Sequence, residues 1–62
     1  MNDDISKKLE EFEAYIDSKE PDKAKAEEKK AFVREQMVRV SFPFLQTVVL
    51  DTAFKAARHR YE

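Results

Sequence analysis

A chain of 62 residues, 40% charged and 42% hydrophobic, has room for a single small domain (residues 1–62) and too little core to wall off a large enclosed pocket. It contains no Gly and no Cys, which excludes a disulfide scaffold, a cysteine metal site and a glycine-cradled phosphate loop. Twelve Lys and Arg stand against 13 Asp and Glu, a net charge of −1. The balance shifts along the chain from −4 over residues 1–20, through +1 over 21–31, to +2 over 32–62.

The absence of Gly disfavours tight β-hairpin turns, and abundant Ala, Glu, Lys and Arg favour helices, so an all-α fold is expected. The first helix is predicted from about Asp4 to Ser18. Ile5, Leu9, Phe12 and Ile16 recur at steps of 4, 3 and 4 and form one apolar stripe. Asn2, Asp3 and Asp4 are N-cap candidates. A break is expected near Pro21, because proline biases Glu20 away from the α conformation while suiting the first turn of a new helix, with Asp22 near its N-terminus. Residues 23–30 are almost wholly charged. Lys23 with Glu27 and Lys25 with Glu28 offer weak helical pairs, so the segment reads as a solvated helix start or as a frayed linker.

From Ala31 the chain turns apolar. Phe32, Val33, Met37, Val40, Phe44 and Val48 trace a helical stripe. Pro43 either kinks this helix or opens a third one capped by Ser41. A competing period of two, with Val38, Val40, Phe42 and Phe44 alternating with Arg39, Ser41 and Pro43, would suit a short strand, although proline fits a paired strand poorly. Two to three helices are therefore predicted: a helical hairpin with a break near Pro21 and a kink or break near Pro43.

Phe44 to Tyr61 carries two apolar stripes on nearly opposite sides of one helix. The first holds Leu45, Val48, Val49, Thr52 and Ala56; the second holds Leu50, Phe54, Ala57 and Tyr61. A helix that is apolar on two sides needs two partners, one within its chain and one outside it. A domain of this size hides only about 60% of the surface of its unfolded chain. With no disulfide and no cluster of metal ligands, oligomerisation is the remaining source of stability. A bundle-like homodimer is expected, with a self-contained three-helix monomer as the alternative. Phe44, Leu45, Val48, Val49, Leu50, Phe54 and Tyr61 are the candidate protein-interface residues. Leu50, Phe54 and Tyr61 are the strongest candidates for contact with another protein, unless they form the core of the dimer itself.

Little in the sequence suggests catalysis. Ser6, Ser18, Ser41, Thr47, Thr52 and the tyrosines stand at no recognisable spacing to a base. His59, with Lys55, Arg58 and Arg60, suits the C-terminal end of a helix dipole. Asp51, the one carboxylate inside the apolar run, has Lys55 four residues on as a surface partner. No cofactor, metal or small-molecule substrate is expected. The acidic N-terminus is unlike a signal peptide, and the longest apolar stretch, Phe42 to Leu50, falls far short of the roughly 18 residues of a membrane span, so a cytoplasmic location without membrane association is expected. These features together suggest a small, non-catalytic accessory protein that acts by protein–protein interaction in regulation. The alternative is nucleic-acid binding through Lys55, Arg58 and Arg60 at the basic end of the last helix, extended by Arg34 and Arg39 and doubled in a dimer.

Overall fold

The computed structural model describes residues 3–62, which form three α-helices with no strand among them: α1 (Asp3–Lys19), α2 (Lys23–Arg39) and α3 (Pro43–Tyr61). Both proline-marked breaks are present. Asn2 as an N-cap lies outside the described residues, while Asp3 and Asp4 occupy the first turn of α1, where their charge complements the helix dipole. Pro21 lies before α2 rather than in its first turn. Asp22 is the N-cap, its Oδ1 accepting from the backbone N–H of Ala24 (2.9 Å) and Lys25 (3.2 Å). That cap holds residues 23–30 in the helix, and Lys30 pairs with Asp17 of α1 and with Glu27, both at 2.9 Å. Glu27, the expected partner of Lys23, thus pairs with Lys30 instead.

Pro43 breaks the chain rather than kinking a continuous helix. It is the first residue of α3, where its missing N–H costs nothing and its fixed φ suits the turn. The N-cap of α3 is Phe42 rather than the expected Ser41, and it makes no side-chain capping bond. The strand-like alternation at residues 38–44 is overridden by this helix–turn–helix arrangement. The turn is held from α3, where the Gln46 side-chain amide donates to the carbonyl oxygens of Met37 (3.2 Å) and Val40 (3.0 Å), adding to the 3.4 Å bond that Met37 accepts from the Val40 N–H. No described residue has a positive φ.

Lys8 pairs with Asp51, Phe12 with Phe54 and Tyr15 with Tyr61, so α1 and α3 run parallel. Glu13 pairs with Arg34 and Asp17 with Lys30, so α2 runs against α1. Each helix packs on both others. The core draws on all three: Ile5, Phe12 and Ile16; Ala26, Val33 and Met37; Leu50 and Ala57. Leu9 is half-buried against this cluster, as the α1 stripe predicts. Phe32, Phe44 and Val48, placed on the expected α2 stripe, are exposed instead. The α2 residues that face the bundle are Ala26, Val33 and Met37, at helical spacings of seven and four. Among the described residues, no polar or charged side chain is buried.

Candidate interaction surface

Helix α3 resolves its two stripes in opposite ways. The stripe of Leu50, Phe54, Ala57 and Tyr61 faces inward. Leu50 has no exposed surface, Ala57 is buried, and Phe54 and Tyr61 are half-buried against the core. This stripe carries two aromatic rings and a leucine, so turning it inward removes more apolar surface from water than burying Leu45, Val48, Thr52 and Ala56 would. The Phe54 ring meets Phe12 edge-on (centroids 5.8 Å apart, planes at 74°) and Tyr15 at 5.4 Å. Of the expected interface residues, Leu50, Phe54 and Tyr61 therefore belong to the core of the single chain.

The other four lie on or beside the opposite stripe. Phe44 is 76% exposed, Leu45 and Val48 are each 45% exposed, and Val49 is half-buried. Thr52 and Ala56 continue this exposed face toward the C-terminus. Sequence reasoning missed three residues of the apolar surface. Phe32 on α2 is 62% exposed and Phe42 67%, while Val38, the most exposed at 86%, stands apart on the far side of α2. The signal for Phe32 was available in its position next to Val33, since two adjacent apolar residues on a helix cannot face the same way.

Between α2 and α3 lies an open groove of about 660 Å³. Phe12 and Ile16 form its floor, Phe32 stands on its α2 wall, and Ala53, Ala56 and Ala57 form its α3 wall. Three alanines in one region leave space that larger side chains would fill. Lys25, Glu28, Lys29 and Arg60 line the charged edge.

The basic residues of α3 point in different directions. The Arg58 guanidinium lies 4.6 Å from the centroid of the Phe54 ring, on the α1 side. Arg60 lines the α2–α3 groove and sits 5.9 Å from the Tyr61 ring. Lys55 and His59 are exposed. Asp51 is exposed as well and pairs across the bundle with Lys8 (2.9 Å), not with Lys55 along its own helix. Arg34 is drawn to Glu13 of α1, whose carboxylate holds the guanidinium in its charged form still more firmly, and Arg39 pairs with Glu35 at 2.9 Å.

Two tyrosine clasps close the end where α1 and α3 finish. The Tyr15 hydroxyl donates to Glu62 and the Tyr61 hydroxyl donates to Glu20. Each accepting carboxylate raises the pKa of its tyrosine, and the bond from Tyr61 lowers that of Glu20. No helix among the described residues is long and apolar enough to cross a membrane. No protein-family model matches the chain, and no curated protein or solved structure matches it at a significant level.

Proposed function

We propose that this chain is a non-catalytic binding protein that associates with a second copy of itself and regulates through protein–protein contact. The observation that carries the reading is the outward apolar face of α3, with Phe44, Leu45 and Val48 exposed after the chain has already filled its own core. An exposed apolar face of this kind is the usual mark of an interaction site.

The test is molar mass by sedimentation or light scattering across a dilution series. The expected mass is twice the 7.3 kDa of one chain, persisting into the low micromolar range. The double variant Leu45→Asp/Val48→Asp should keep its helical circular dichroism and fall to a single-chain mass. A folded wild-type monomer at every concentration would overturn the dimer.

A further inference from the structure

The two halves of α3 differ in the way that self-recognition requires. Its N-terminal half, Pro43 to Leu50, contains no charged residue and presents bulky side chains, Leu45 and Val48, with Phe42 just ahead of them. Its C-terminal half presents the small residues Thr52 and Ala56, borders the alanine-walled groove, and ends in Arg58, His59 and Arg60. Resting on the dimer reading above, we infer that two copies pair α3 against α3 in antiparallel orientation. Leu45 of each copy then lies over Ala56 and the α2–α3 groove of the other.

Shape and charge select this orientation over a parallel one. In a parallel pair, Leu45 would meet Leu45 and Ala56 would meet Ala56, which leaves a void at the alanine end that close packing penalises. A parallel pair would also bring the two copies of the exposed His59 and Arg60 to the same end and align the two helix dipoles side by side. Antiparallel pairing sets each basic end beside the uncharged half of its partner and opposes the dipoles. A twofold axis across α3 near residues 50 and 51 places Leu45 opposite Ala56 and Phe42 opposite the last turn. The Phe42 ring, 67% exposed, thereby gains the aromatic-to-cation neighbourhood of the partner's basic end. The groove is open in one chain, and the Leu45 of the second copy covers its α3 edge at Ala56.

The chain has no cysteine, so single introduced thiols report orientation directly. Leu45→Cys and Ala56→Cys alter exposed positions, and circular dichroism checks that each variant folds. Residues 45 and 56 are about 16 Å apart along the helix at roughly 1.5 Å per residue, whereas a disulfide requires Cα atoms within about 7 Å. Under mild oxidation each variant alone should remain unlinked, and an equimolar mixture should yield a linked species that is almost entirely mixed. The pair Phe42→Cys and His59→Cys, also at exposed positions, should behave in the same way. A dimer in which each variant links to itself is parallel and overturns the inference while the dimer stands. A dimer that links in neither pairing has its interface off α3 and overturns it as well. A monomeric wild-type chain removes both the inference and the reading beneath it.

Discussion

Leu50 shows how a single side chain decides which face of α3 turns inward. It has no exposed surface and lies among core residues from all three helices. Leu50→Ala should cost about 2–5 kcal/mol of stability, read from the urea midpoint, whereas Leu45→Ala on the opposite face should cost well under half as much in the dissociated chain. Equal costs would mean that the two stripes are exchanged. The Tyr61–Glu20 clasp makes a second prediction at this scale. The bond to Glu20 raises the pKa of the Tyr61 hydroxyl above the usual value of about 10, and the same bond lowers that of Glu20 below its usual value of about 4.3. A lowered carboxylate pKa favours the fold above its unfolded-chain value, and that contribution is lost as pH falls through the acid range. A raised tyrosine pKa favours the fold below its unfolded-chain value, and that contribution is lost as pH rises past about 10. Tyr61→Phe should therefore lower the urea midpoint near neutrality, with the gap from wild type narrowing at both extremes of pH. A gap that does not vary with pH would show that the clasp is absent in solution.

At the scale of the elements, α2 and α3 are capped differently. Asp22 supplies the standard side-chain cap of α2, and Asp22→Ala should cost about 1 kcal/mol, visible as a lower thermal midpoint with reduced helicity. The N-cap of α3 is a phenylalanine that contributes no capping bond. Phe42→Ser should add about 0.5–1 kcal/mol to the isolated chain by supplying the missing cap, yet weaken self-association by removing an exposed ring. Measuring thermal midpoint and molar mass on the same samples separates the two effects; a variant that gains neither stability nor a weaker dimer would leave Phe42 without either role. The helices and both proline breaks were legible in the sequence, because period and proline geometry are local properties. The inward face of α3 was left open, although the stripe with Leu50 and two aromatic rings has more apolar surface to bury; Phe12 and Tyr15, far away in sequence, receive the Phe54 ring. Asp51 was misread for the same reason: Lys55 is its nearest neighbour along the helix, but Lys8 reaches it across the bundle. The ion pairs Lys8–Asp51 and Arg39–Glu35 sit on exposed side chains and decide little of the stability.

For the whole molecule, three helices joined by short connections at residues 20–22 and 40–42 make a fold dominated by local contacts. Such bundles reach the native state in microseconds to milliseconds, a range accessible to temperature-jump relaxation. The apolar residues are divided between a buried inner face shared by α1, α2 and α3 and an exposed outer face centred on α3. Because no described residue takes a positive φ, both chain reversals use conformations open to every L-amino acid, and no described position depends on glycine. Constraint in this molecule resides in side-chain size and burial rather than in special backbone positions. A saturation scan of all substitutions except proline should show tolerance tracking solvent exposure, with the Asp22 cap as the exception in the turns. The architecture can thus absorb extensive sequence drift while its outward surface is reshaped independently of its core.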